Sequence, residues 1–87
     1  KALLILGQLA WAEGDHVQAG LHFERAGKSK DFEVPSLIEH GRMLVSIRKY
    51  EKAIDLLDRS LEIDPQPRVS RYLESIRNLL LASRTRL

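Results

Sequence analysis

The chain predicts an all-α fold of about five helices, on three observations. Apolar residues recur at spacings of three and four, the mark of one buried helix face, as in Tyr50, Ala53, Ile54, Leu57 and Leu61. No segment shows the apolar-polar alternation of a half-buried strand. The pattern also repeats. Gly41 follows Gly7 at the same interval at which Ala53 follows Ala19, and a period of that length predicts a stack of like units that do not bury their apolar faces alone.

Each element has a local reason. Residues 2–12 are good helix formers, and Glu13-Gly14-Asp15 breaks them. Asp15 is placed to accept the free N–H groups of a second helix, over residues 16–26, which closes at Gly27. Residues 28–33 are polar, and Pro35 follows where a helix has no use for its N–H, in the first turn. Leu37, Ile38, Gly41, Leu44, Val45 and Ile47 trace the third helix, Arg48-Lys49 makes the turn, and residues 50–63 form the fourth. Pro65 and Pro67 stop it, since neither fits a helix interior. Val69, Leu73, Ile76 and Leu80 then recur at four, three and four, and the last helix is expected to run to about Arg84.

At 87 residues the chain supports one small domain, residues 1–87, which buries only about 60% of its unfolded surface. Hydrophobic residues make up 44% of it, with both charge signs interspersed, and that excludes a disordered class. With no cysteine, disulfides and thiolate metal sites are excluded and the compartment stays open. Lys1 begins inside an apolar helical pattern, so the chain is expected to be part of a longer protein. Leu3 to Leu6 is far too short an apolar run for a bilayer, which needs about 20 residues, and no membrane insertion is expected. The net charge is +2 and uneven. From residue 66 onward Arg68, Arg71, Arg77, Arg84 and Arg86 face the single acid Glu74, which makes the last segment basic.

Leu3, Leu6, Gly7, Gly14, Asp15, Ala19, Phe23 and Ala26 in the first unit resemble the signature of the tetratricopeptide repeat family. In the second unit Leu37, Gly41, Leu44, Tyr50, Ala53, Leu57 and Asp64-Pro65 continue it. The resemblance implies a right-handed superhelical stack of antiparallel helix hairpins, an α-solenoid with repeats at residues 1–33 and 34–65 and a capping helix at 66–87. The small residues have a physical use, since Gly7, Gly41, Ala19 and Ala53 allow two helices to approach closely. Three positions depart: His40 replaces a leucine, Arg48 the turn glycine, and Ser60 a small apolar residue. Strict copying of the period would put Arg71, Glu74 and Asn78 on the packing face of the last helix. A linker shortened by one residue instead brings Val69, Leu73, Ile76 and Leu80 against the second unit and leaves a polar outer side, as a cap requires.

For function, the resemblance places Leu4, Gln8 and Trp11, then Ile38, Arg42 and Val45, along a concave groove, with Arg68, Arg71, Ser75 and Asn78 extending it. Such a surface suits a protein or peptide partner that is amphipathic and acidic, because the arginine fork donates two parallel bonds to a carboxylate. The competing expectation is that Leu4, Ile38 and Val45 are core and that Trp11 packs under a neighbouring repeat. A clamp for a terminal carboxylate, known in relatives, is disfavoured: Ile5 and Glu39 stand where it uses asparagines, although Lys1 and Arg71 keep part of its pattern, and Glu39 repels a carboxylate.

Other classes fare worse. Nucleic-acid binding needs clustered positive charge, and Glu74 divides Arg68, Arg71 and Arg77. His16, His22 and His40 are expected to be surface or boundary residues, since no two stand four apart as in a zinc-protease helix. With no phosphate loop and no nucleophile elbow, the expectation is a non-catalytic scaffold without cofactor or metal. Self-association through apolar ends, Leu3, Leu6 and Leu9 with Leu79 to Leu81 and Leu87, is the remaining alternative.

Overall fold

Turn chemistry sets the helix boundaries. Asp15 Oδ1 accepts the backbone N–H of Gln18 at 3.1 Å, satisfying one of the free donors that open a helix. The residue one before it, Gly14, takes a positive φ of 82°. One period on, Arg48 adopts φ 62° at the matching turn, a conformation that costs a side-chain-bearing residue about 1–2 kcal/mol. In the computed structural model, which describes residues 1–85, these turns separate α1 (Ala2–Ala12) from α2 (His16–Ala26) and α3 (Glu33–Ser46) from α4 (Tyr50–Ile63). A short 3-10 turn at Lys30–Phe32 leads into α3, where Pro35 sits in the first turn as its sequence suggests. Pro67 opens α5 (Pro67–Thr85). Among the described residues the fold is all-α, with five α-helices and no strand.

Each helix packs chiefly on the next in the chain, α1 on α2, α2 on α3, α3 on α4 and α4 on α5, while α1 also touches α3. The molecule measures 42 × 29 × 15 Å. Two helices packed about 8–10 Å apart, each with a Cα radius of about 2.3 Å, account for the short dimension, so the slab is two helices thick. No helix among the described residues is long and apolar enough to cross a membrane.

The two glycines that mark the period have a specific use. A Cβ on Gly7 would lie 2.5 Å from Phe23 Cε1, and one on Gly41 would lie 2.9 Å from Leu57 Cγ. Phe23 and Leu57 are themselves one period apart. In both hairpins, then, a large side chain of the second helix seats on bare backbone of the first. Ala19 and Ala53 are fully buried close by. One core joins the two hairpins through Ala10, Ala19, Phe23, Met43, Leu44 and Ala53. A second joins α4 to α5 through Leu57, Val69, Leu73 and Ile76.

The last helix adopts the shortened register. Val69, Leu73 and Ile76 are buried and Leu80 half-buried, while Arg71, Glu74 and Asn78 are exposed. One expectation is overturned: His40 is core, not surface or boundary. It lies on the row of α3 that faces α2, where Gly20 leaves room for it. A Cβ on Gly20 would come 3.3 Å from His40 Nε2, and the imidazole packs on the Phe23 ring at a centroid distance of 5.9 Å. Burial lowers its pKa below the usual 6.5, opposed by Glu24 and assisted by Lys52.

Candidate partner-binding groove

Arg42 organises the candidate groove. It stands on the exposed side of α3, and its Nη1 donates to Glu39 Oε1 at 3.1 Å, one helical turn earlier. The guanidinium carbon also lies 5.9 Å from the centre of the Trp11 ring, within reach of a cation–π attraction. Trp11 comes from the end of α1, so this contact ties the first helices of the two hairpins together.

Below Arg42 opens a hollow of about 420 Å³, lined by Ile38, Arg42, Gln66, Arg68, Val69 and Tyr72. Its walls are α3 and the start of α5, and the α4–α5 linker closes one side. That linker is held by its own bond, Gln66 Nε2 donating to Asp64 Oδ2 at 2.9 Å. Burial raises the pKa of the Tyr72 phenol above its usual 10, with Arg42 pulling it down and Glu39 pushing it up. The hydroxyl is accordingly protonated at neutral pH and available as donor or acceptor.

Of the residues expected to line a groove, Ile38, Arg42 and Arg68 share this hollow, and Trp11 joins it through Arg42. Leu4 and Val45 serve mainly as packing: both are half-buried against the first core, and Val45 also touches the second. Gln8 is exposed on α1, apart from the hollow. Arg71 is exposed on α5, outside the lining, and its carbonyl accepts from Ser75 Oγ at 3.2 Å. Gln66, Val69 and Tyr72 line the hollow without having been expected there, and Glu39, expected only to repel a carboxylate, instead holds Arg42. The signal for Tyr72 was available, since it follows Arg68 by four residues and so shares its helix side.

The arginines of α5 divide into two kinds. Arg77 donates from Nη2 to both carboxylate oxygens of Asp58 at 3.2 Å, and Arg84 donates to Glu51 Oε2 at 3.1 Å. Both acids lie on α4, so these cations fasten α5 to its neighbour. Among the described residues Arg68 and Arg71 have no acidic partner within 4.0 Å. Arg86 lies outside the described residues. No three His, Asp or Glu side chains among the described residues assemble into a metal-binding group.

No protein-family model matches the chain, and neither a curated protein nor a solved structure does.

Proposed function

We propose that this chain is a non-catalytic protein-interaction module of tetratricopeptide-like build. In this reading its two hairpins and the last helix form a right-handed superhelical stack, α5 is the cap, and an acidic, amphipathic peptide binds along α1, α3 and α5. The observation that carries the reading is the hollow between α3 and α5, where an apolar floor of Ile38 and Val69 meets the unpaired cation of Arg68. Arg71 extends that positive end, and the Tyr72 hydroxyl adds a polar contact. Arg42 plays a different part from the one its sequence position suggests: held by Glu39 and Trp11, it shapes the wall and orients its remaining donors. A nucleic-acid reading loses support from the pairing of Arg77 and Arg84 with acids of α4, which leaves two unpaired arginines on the described part of that helix.

The test starts from peptides selected on the 87-residue chain from a displayed library and titrated by fluorescence anisotropy. Acidic peptides with one or two large apolar residues are expected. Ile38→Asp and Arg68→Glu should each weaken binding by about thirtyfold, the scale of a hot-spot loss of about 2 kcal/mol, with helical content unchanged. If Arg42→Glu and Trp11→Ala leave the affinity untouched, the groove assignment is wrong. Binding that is nuclease-sensitive and falls steeply with salt would replace it by nucleic-acid binding.

A further inference from the structure

A second hollow opens on the face of α3 opposite the groove. Ile38 and Arg42 line the groove, while Ser36 and His40, each two residues earlier, line the other hollow. At 3.6 residues per turn, positions two apart point about 200° from one another. This hollow measures about 390 Å³ and lies between α2, α3 and α4. Its floor is polar where a helix interface is ordinarily apolar. His40 and Ser36 are only 7% and 2% exposed. Ser36 Oγ has no hydrogen-bond partner, and no hydrogen bond among the described residues involves the His40 imidazole.

Packing alone does not call for these groups. A leucine at position 40, which the resemblance implies, would fill the space without burying an unpaired polar group, and such a burial is unfavourable until a partner is supplied. Around the floor stand five charges that the fold does not use. Among the described residues Lys28, Lys52 and Arg59 have no acid within 4.0 Å, and Glu24 and Glu33 have no cation. Arg77 and Arg84 differ in this respect, since they fasten α5 to α4. Phe23 and Leu56 add an apolar wall. An exposed cation alone would be a solvated rim; here three of them surround a floor of unpaired donors.

We propose that this hollow binds a compact organic anion, its single carboxylate or phosphate held by Lys28, Lys52 and Arg59 and its apolar body laid on Phe23 and Leu56 beside the His40 imidazole. The sign follows from the lining, three cations against two acids. It follows also from the imidazole, which burial keeps neutral at neutral pH, so that it donates one N–H and can accept at its other nitrogen. Ser36 adds a hydroxyl that a change of χ1 well re-aims. The two carboxylates limit the negative charge that fits: a polyphosphate or a nucleic-acid strand would meet Glu24 and Glu33, whereas a single headgroup does not have to. Size agrees, since the volume falls near the lower end of the about 300–1,000 Å³ that small-molecule sites span. The proposal is independent of the groove between α3 and α5 and stands if that groove proves empty.

The probes are benzoate and phenyl phosphate, each an oxyanion on one ring, with benzyl alcohol, benzylamine and inorganic phosphate for comparison. Each is titrated into the isotopically labelled chain at neutral pH and followed by amide chemical shifts. At least one of the two organic anions should move the amides of Gly27, Ser36 and His40 with a Kd of about 1 mM or tighter, the range open to ligands of this size. The one bound more tightly identifies the headgroup. Lys52→Gln with Arg59→Gln, both at exposed positions, should weaken that binding about tenfold with circular dichroism unchanged, and His40→Leu by a similar factor. Arg68→Gln, in the other groove, should leave it as it is. The proposal is overturned if neither organic anion moves those amides, or if the Lys52, Arg59 pair can be changed without loss of affinity. Benzyl alcohol, benzylamine or inorganic phosphate binding as tightly also overturns it, because the hollow would then recognise a ring or a lone ion and not an organic anion.

Discussion

Gly7→Ala probes the closest approach in the fold. The new methyl carbon would stand 2.5, 2.6 and 3.0 Å from Cε1, Cδ1 and Cζ of Phe23, against an optimum of about 3.5–4.0 Å between carbon atoms. The ring must therefore retreat by about 1 Å. It has little room to do so, being 1% exposed and backed by the His40 imidazole. Overpacking of this kind costs about 1–3 kcal/mol, and the better helix propensity of alanine returns about 0.8–1 kcal/mol. The difference is about 0–2 kcal/mol, and three contacts at or below 3.0 Å on a ring with so little room place the expectation in the upper half, a loss of about 1–2 kcal/mol, read as a lower urea midpoint by circular dichroism at unchanged slope. Because the clash is with one ring, Phe23→Leu should absorb much of it, and the double variant should be less destabilised than the two single losses added together. A Gly7→Ala chain as stable as the parent, or a double variant additive to within about 0.5 kcal/mol, would refute the close-approach argument.

Gly41→Ala meets Leu57 at 2.9 and 3.1 Å, a lesser overlap with a more adaptable side chain, so the same titration should show a smaller loss of about 0–1 kcal/mol. Arg48→Gly relieves the left-handed backbone at φ 62° but loosens the unfolded chain; a gain of about 0.5–1 kcal/mol is expected, and any loss in thermal melting contradicts it. For His40, burial lowers the folded pKa, so the unfolded chain binds more protons as pH falls and stability rises with pH across this range. That contribution is complete above the unfolded value of about 6.5 and is lost as pH drops below it toward the lowered folded value. Urea midpoints at pH 7.5 and 5.5 should therefore differ more for the parent than for His40→Leu, and equal differences would mean the imidazole does not titrate as a buried group.

Much of the fold is legible because its causes are local. Asp15 caps α2, Gly14 permits the turn before it, and Pro67 opens α5; each acts within a few residues of its own position. The repeat spacing goes further, since it pairs Gly7 with Phe23 and Gly41 with Leu57 through a geometry that any two hairpins of this build share. The shortened register of α5 is also readable, because only that register places Val69, Leu73 and Ile76 on a packing face. The groove is less legible: spacing brings Ile38, Arg42 and Arg68 to one side, yet it does not foresee that Glu39 and Trp11 hold Arg42.

The sequence by itself determined five helices, their boundaries and the faces on which their apolar residues lie, because helix periodicity and capping are properties of consecutive residues. The tertiary structure alone decided which of those faces are covered. It buried His40 in the space Gly20 leaves, directed Arg77 and Arg84 to acids far back along the chain on α4, and left Leu6 and Leu9 exposed while His40 and Met43, one period on, are buried. The physical reason is that a period fixes which side chains share a stripe, whereas burial and charge pairing depend on a neighbouring helix whose position no local rule supplies.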